Sequence, residues 1–175
     1  MPFARTWSEE IIGEWLQLEG YLVEIGIPIP IPKTSGGRQE VDVAGARING
    51  NTLEIFHIEV GSLPGDSQKN VAKLNKKFGS SVTNYLVDYF KQKLRFNGPY
   101  NKYDKLYVAT YASQSTINTI KQQLGINIVY MKDFICQQII QTIKNWKRKP
   151  YVTLPESLWL LGLIDYLNTN KKLKC

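Results

Sequence analysis

Two strand-like segments joined by one tight turn constrain the fold of this chain more than any other feature. Residues 39–47 and 52–60 both read as β-strands, and Asn49-Gly50 between them is a strong signal for a two-residue hairpin turn. Both faces of the hairpin are largely apolar, so we expect it at the centre of a sheet that is covered on both sides. Its apolar positions are Ala44, Ala46, Leu53 and Ile55 on one face, and Val41, Val43, Phe56, Ile58 and Val60 on the other.

One end of the first face carries three carboxylates, Glu40, Asp42 and Glu59, together with His57, the only histidine of the chain. If the turn is centred on Gly50-Asn51, Asp42 lies directly opposite Glu59. If it is centred one residue earlier, Asp42 pairs with His57 and Glu40 with Glu59. Carboxylates that lose their hydration and repel one another persist only when they are paired or hold a cation. The pattern therefore predicts a divalent metal site.

The charge balance indicates the kind of partner. The 175 residues carry a net charge of +7, which suits a polyanion such as nucleic acid. An acidic cluster inside a basic protein is the arrangement expected for metal-dependent cutting of a phosphate backbone. No apolar run reaches the roughly 18–20 residues of a membrane span, and the two cysteines give no disulfide framework. We expect a cytoplasmic protein with no membrane partner.

Helical and strand-like patterns alternate along the rest of the chain, which predicts an α/β fold with a mixed central β-sheet and helices on both faces. We expect a single domain over 1–175, with a core at about 8–130 and C-terminal helices at about 131–170. A proline-rich segment, 28–32, is expected to leave the sheet, and 95–104 to form a polar loop. The expected helices are 7–19, 68–94 with a possible break at 79–81, 113–124, 132–149 and 155–168, and the further strands are 21–29, 105–111 and 126–130.

Three segments carry a family resemblance. Residues 9–23 form a helix-then-strand pattern with an early glutamate, 36–47 form a strand containing Asp42, and 56–61 form a strand containing Glu59. Together they resemble the PD-(D/E)XK nuclease superfamily, whose fold is called restriction-endonuclease-like, and the layout is similar to that of Holliday junction resolvases. The resemblance covers roughly residues 8–130.

The resemblance implies a set of roles. Asp42 and Glu59 are the implied ligands of Mg²⁺, for which Mn²⁺ can substitute, and Glu9 is the implied carboxylate of the opening helix. Glu9 stands three residues before Ile12, at the margin of the apolar stripe, although a first-turn acid favoured by the helix dipole explains it equally well. His57 is a metal ligand, a proton shuttle or a core histidine paired with Glu40.

The chain departs from the family pattern at one catalytic position, because Gly61 stands where the family has a lysine two residues after Glu59. That lysine positions or activates the attacking water in the family. Lys69, Lys73, Lys76 and Lys77 are nearby in sequence, and we take Lys73 as the expected catalytic replacement. We expect the other three to contact the nucleic-acid backbone together with Arg38 and the basic run 147–149. Glu40 is a third ligand, or a partner of His57 or Arg38.

The predicted function is therefore a metal-dependent endonuclease that hydrolyses DNA phosphodiester bonds, of the restriction, junction-resolving or repair type. A homodimer is expected if both strands of a duplex are cut, because each core offers one site. The loss of the motif lysine supports a different class as the alternative, which is a catalytically silent nuclease-fold module that binds DNA or a partner protein. An RNA-processing nuclease is a third hypothesis.

Overall fold

The computed structural model describes residues 6–32, 38–146 and 153–169, and within these ranges it contains five strands arranged with helices. The strands are β1 (Leu22–Pro32), β2 (Arg38–Asn49), β3 (Thr52–Leu63), β4 (Tyr100–Ala112) and β5 (Asn127–Tyr130). The helices are α1 (Trp7–Leu18), α2 (Ser67–Lys77), α3 (Ser80–Leu94), α4 (Gln114–Leu124), α5 (Met131–Phe134), α6 (Ile140–Trp146) and α7 (Glu156–Thr169), and a π-helical turn, Ile135–Ile139, separates α5 from α6. None of the described helices is both long enough and apolar enough to cross a membrane.

The strands form one sheet in the order β1-β2-β3-β4-β5. The pairs β1–β2 and β2–β3 are antiparallel, whereas β3–β4 and β4–β5 are parallel. This mixed sheet confirms the predicted α/β class. The hairpin pairs Asn49 with Thr52 and Val43 with Ile58. That register centres the turn on Gly50-Asn51, where Gly50 has φ +60°, so the first of the two alternatives is the observed one.

Helices cover both faces of the sheet, as predicted. On the side we call the α1 face, sheet residues pack against α1 and the helices after β5. On the opposite side, the α3 face, they pack against α2, α3 and α4. The α1 face contains Val43, Ile58, Leu106 and Val108 with Ile11, Ile12, Trp15, Leu16, Phe134 and Leu158. The α3 face contains Ala44, Ala46, Leu53 and Ile55 with Val82, Leu86 and Phe90, and Tyr107 and Ala109 with Leu74 and Ile120.

The alternation of side chains breaks at one point of the β1–β2 pair. Val43 and its partner Ile25 pack on the α1 face, but Val41 and its partner Ile27 pack in the α3-face cluster. The expectation that Val41 shares a face with Val43 is therefore wrong. Gly26 lies between the two pairs with φ +65°, a value that L side chains rarely adopt. The two strands thus change their side-chain direction together, beside Asp42.

The proline-rich segment does not leave the sheet as predicted, since β1 continues to Pro32. Pro28 lies opposite Glu40 within the β1–β2 ladder, and its carbonyl accepts a hydrogen bond of 3.1 Å from Tyr85 Oη on α3. Its backbone polar groups therefore face away from β2. Because these groups face away from the ladder, the missing amide of Pro28 removes no ladder bond.

Two further boundaries bear on the site. The segment 95–104 is not entirely a loop, because β4 begins at Tyr100 and places Tyr103 in the sheet. The predicted break in the long helix is confirmed, with α2 ending at Lys77 and α3 beginning at Ser80. A Cβ at Gly79 would lie 2.8 Å from the Asn75 carbonyl oxygen, so the tight turn between the helices requires glycine there.

Candidate active site

Two carboxylates and one ammonium meet where β2, β3 and the end of α2 come together. Lys77 Nζ lies 3.3 Å from Asp42 Oδ1 and 3.4 Å from Asp42 Oδ2, and it also forms an ion pair with Glu59 Oε2. The Glu59 side chain is fully enclosed, whereas those of Asp42 and Lys77 are 20% and 21% exposed. The structure thus brings together the two acids that the sequence predicted and adds a cation from the following helix.

The second oxygen of each carboxylate is held by a different partner. The amide of Val60 donates to Asp42 Oδ2 at 2.8 Å, beyond the last β2–β3 pair, Val43 with Ile58. Glu59 Oε1 lies 2.9 Å from His57 Nε2. Lys77 Nζ therefore shares Asp42 Oδ2 with the amide of Val60, while Asp42 Oδ1 and Glu59 Oε2 contact the cation from the two acids.

His57 lies between Glu59 and Tyr103 in the interior of the protein. Its side chain is fully buried, and its Nδ1 lies 3.0 Å from Tyr103 Oη. Burial above all, and then the positive charges of Lys77 and Lys105, lower the pKa of His57 to about 3. The neutral ring therefore donates from Nε2 to Glu59 and accepts at Nδ1 from the Tyr103 hydroxyl, whose pKa burial raises. Both ring nitrogens are occupied, so His57 pairs with Glu59 and Tyr103 rather than with Glu40.

The end of α2 fixes the position of Lys77. Asp66 caps the start of the helix by accepting from the amides of Gln68 and Lys69 at 2.7 and 3.0 Å, and Lys77 closes it at the C-terminal end, where the helix dipole favours a cation. The centroid of the Phe78 ring, the next residue, lies 4.5 Å from the centroid of the His57 ring. The Phe78 carbonyl accepts a hydrogen bond of 2.8 Å from Lys105 Nζ. These contacts anchor the helix end against the acidic pair.

A cleft of about 270 Å³ opens over this cluster. Asp42 and Lys77 form part of its wall, and Glu9 of α1 and Glu40 of β2 line it as well. Glu9 is only 9% exposed, and its amide donates to the capping oxygen Thr6 Oγ1 at 3.4 Å. The carboxylates chosen from the sequence therefore share one cleft, except Glu59, which lies enclosed against Lys77. The remaining lining residues are Thr6, Gly26 and Gln39.

The lysines of α2 divide into two groups. Lys69, Lys73 and Lys76 are exposed on the helix surface, and only Lys77, among the described lysines of α2, forms ion pairs with Asp42 and Glu59. Lys77 rather than Lys73 is therefore the lysine that reaches the acids. The two are four residues apart on one side of the helix, so spacing alone did not separate them. The Arg38 side chain and the run 147–149 lie outside the described part of the chain.

Two residues that hold His57 in place beside Glu59, namely Tyr103 and Phe78, were not predicted from the sequence. Tyr103 lies in the predicted loop 95–104, and the role of Phe78 beside His57 has no local sequence signal. The alternation of Tyr103, Lys105 and Tyr107 along the parallel partner of β3 is the pattern that could have placed Tyr103 next to His57.

Gly61, at the position of the lysine in the PD-(D/E)XK pattern, has a backbone conformation that disfavours a side chain. Its φ is +150°, and the β3–β4 register shifts between Gly61 and Ser62. A Cβ at this position would lie 3.2 Å from Tyr107 Oη. The backbone at the motif position is therefore adapted to glycine.

We expect Gly61→Lys to lower the free energy of unfolding by about 1–3 kcal/mol, because a side chain is strained at this φ. Urea unfolding of the metal-free protein measures the effect. Ser62→Lys is the matched control, since Ser62 is exposed one residue further along β3, and a change within about 0.5 kcal/mol is expected for it. Equal stability of Gly61→Lys and the wild type would contradict the strained backbone.

A larger cavity of about 430 Å³ lies on the α1 face, and two of its charged residues, Arg47 and Asp104, have ion-pair partners. Arg47 Nε is 2.7 Å from Glu54 Oε2, and Asp104 is paired with Lys102 at 2.8 Å. Half of its lining residues are aromatic or aliphatic, namely Trp15, Tyr21, Phe56, Leu106, Val129 and Phe134. The smaller cleft, where carboxylates converge, is therefore the better candidate for chemistry.

The donor set of the smaller cleft fits Mg²⁺. Within residues 6–32, 38–146 and 153–169, no three His, Cys, Asp or Glu side chains already surround one point as a complete metal centre. Mg²⁺ nevertheless needs only one or two carboxylates and keeps several waters. Asp42 Oδ1 and Glu59 Oε2 supply two hard oxygens that already converge on one cation, the Lys77 ammonium.

Comparison with known proteins does not place the chain in a family. It matches no protein-family model, and none of the curated proteins is significantly similar to it. The geometry of Asp42, Glu59 and Lys77 is therefore the basis for a functional proposal.

Proposed function

We propose that this protein is a metal-dependent nuclease of the restriction-endonuclease-like fold that hydrolyses DNA phosphodiester bonds. The observation that carries the proposal is the contact of Lys77 Nζ with both Asp42 and Glu59. These three residues reproduce the two acids and the lysine of the PD-(D/E)XK pattern. The lysine comes from the end of α2, while Gly61 occupies its usual place.

The residues have distinct roles in this proposal. Asp42 and Glu59 would hold Mg²⁺ or Mn²⁺, and a metal bound there lowers the pKa of a bound water and stabilises charge on the scissile phosphate. Lys77 can donate hydrogen bonds to the attacking water or to a phosphate oxygen, and its charge stabilises the negative charge that develops there. His57 fixes the orientation of Glu59 by its bond of 2.9 Å. Glu9 is the auxiliary carboxylate across the cleft.

The surface beside the cleft suits a phosphate backbone. Lys69, Lys73 and Lys76 are exposed on α2, whose last residue is Lys77, and the chain has a net charge of +7. Lysines at such positions neutralise phosphates and make binding depend on salt concentration. Cutting both strands of a duplex requires two sites, and a homodimer would supply them.

A second candidate is a silent module that binds DNA without cutting it. It is favoured by the way Lys77 already neutralises one carboxylate charge at the place where a metal would bind. This candidate predicts DNA binding that is insensitive to divalent metal, and no cleavage.

Cleavage of plasmid, branched and single-stranded DNA, and of RNA, with Mg²⁺ or Mn²⁺ tests the proposal. We expect metal-dependent cleavage of DNA by the wild type and a loss of at least about 100-fold in Asp42→Ala, because a metal ligand is removed. Asp88→Ala, which removes an exposed carboxylate of α3, is the matched control and should cleave normally. Cleavage by Asp42→Ala at the wild-type rate would refute the assignment. DNA binding without cleavage by the wild type would favour the silent module.

A further inference from the structure

The point on which the two acids converge is occupied by a cation that belongs to the chain itself. Lys77 Nζ lies 3.3 Å from Asp42 Oδ1 and contacts Glu59 Oε2. The other oxygen of each carboxylate accepts from the amide of Val60 in Asp42 and from the ring of His57 in Glu59. The ammonium therefore stands where a divalent ion would have to sit.

The burial of Glu59 favours a cation at this site. Its side chain is fully enclosed, and an enclosed carboxylate is strongly disfavoured without an opposite charge. Lys77 provides that charge in the metal-free protein. A divalent ion would provide that charge and one more, so Glu59 keeps an opposite charge beside it when one cation replaces the other.

The two cations exclude each other at this position. Mg²⁺ binds oxygens at about 2.0–2.1 Å in octahedral geometry, which requires the space that the ammonium occupies, and the two positive charges repel at such short separation. Lys77 has room to move, because its side chain is 21% exposed and lines the cleft together with Glu9 and Glu40.

We propose that Lys77 is a built-in counter-ion that a divalent cation displaces, so that metal binding releases the ammonium into the cleft. The inference rests on the proposed nuclease function for the identity of the cation. It makes the catalytic lysine conditional on the metal, because without metal the ammonium is bound to Asp42 and Glu59. With metal present, it becomes free to meet the attacking water or the phosphate.

The decisive measurement is the affinity for Mn²⁺ in the absence of DNA, by calorimetry, for wild type, Lys77→Met and Lys73→Met. We expect Lys77→Met to bind Mn²⁺ at least about tenfold more tightly than the wild type, because the competing cation is gone. Lys73→Met, which removes an exposed lysine one turn earlier on α2, should bind as the wild type does. Equal or weaker binding by Lys77→Met would overturn the inference.

A measurement on the wild type covers the case in which Lys77→Met does not fold without metal. Labelling with an amine-reactive reagent, read by mass spectrometry, reports the availability of each lysine. We expect labelling of Lys77 to rise several-fold on addition of Mg²⁺, while labelling of Lys73 stays constant. Unchanged or reduced labelling of Lys77 in the metal-bound protein would overturn the inference.

The outcomes also separate this inference from the nuclease proposal. If the wild type binds Mn²⁺ and cleaves DNA but Lys77→Met binds no more tightly, only the counter-ion role fails. If the wild type binds no divalent cation by calorimetry, both the counter-ion role and the metal-dependent mechanism fail.

Discussion

Replacing Lys77 with methionine is expected to reduce the rate of DNA cleavage by about 10³-fold at saturating metal. A positioned proton donor or acceptor contributes roughly 10²–10⁴-fold, and one preorganised charge at a reacting centre contributes about 10²–10³-fold. Lys77 is the described lysine of α2 whose ammonium reaches both Asp42 and Glu59, so no neighbour on that helix can take its place. Single-turnover cleavage with excess enzyme measures the effect on the chemical step.

Lys73→Met is the control for the loss of a positive charge from the same helix. It should change the single-turnover rate by no more than about twofold, with its effect confined to DNA affinity and to the salt dependence of binding. DNA affinity of Lys77→Met should remain close to that of the wild type. An equal loss of rate in both variants would mean that α2 acts only as a DNA-binding surface and that Lys77 has no catalytic role.

Replacing His57 with leucine is expected to lower the free energy of unfolding by about 3 kcal/mol. The substitution leaves Glu59 Oε1 and the Tyr103 hydroxyl without the partners that now lie at 2.9 and 3.0 Å, and unsatisfied buried groups cost about 1–3 kcal/mol each. Urea unfolding measures the change. His57→Gln, which keeps a donor and an acceptor, should recover part of the loss, and equal stability of the leucine variant and the wild type would contradict the role of His57.

The same residue predicts a pH dependence. The pKa of His57 is lowered from 6.5 to about 3 in the folded protein. Stability due to the neutral ring is therefore fully present above about pH 6.5 and is lost as the pH falls toward 3, by roughly 1.4 kcal/mol per pH unit. His57 is the only histidine, so the imidazole Hδ2 and Hε1 signals both belong to it, and neither should titrate between pH 8 and 5. A midpoint near 6.5 would contradict the buried neutral ring.

Local patterns were sufficient to predict the central part of the fold. The Asn-Gly signal and the apolar alternation placed the hairpin between two helical layers, and Gly79 marked the break between α2 and α3. The sequence left two hairpin registers open because both place the same side chains on each face. They differ only in which residues pair across the two strands. The observed pairing of Asn49 with Thr52 decided between them.

The features that could not be predicted from the sequence depend on contacts between residues that are distant along the chain. The choice between Lys73 and Lys77 depended on where α2 ends against β3, and the side-chain reversal around Val41 depended on the positive φ of Gly26 in the neighbouring strand. Tyr103 reaches His57 only because β4 pairs in parallel with β3. Tertiary pairing, rather than local preference, completes the acidic site.

The prolines of β1 have a consequence for how molecules of this protein can meet. Pro28 and Pro30 lie on β1, an edge strand of the described sheet, and the backbone polar groups of Pro28 face away from β2. An incoming extended chain finds no amide to pair with at Pro28, which disfavours the addition of a strand from a second molecule there. This part of the edge is therefore protected from the strand-by-strand self-association that leads to fibrils.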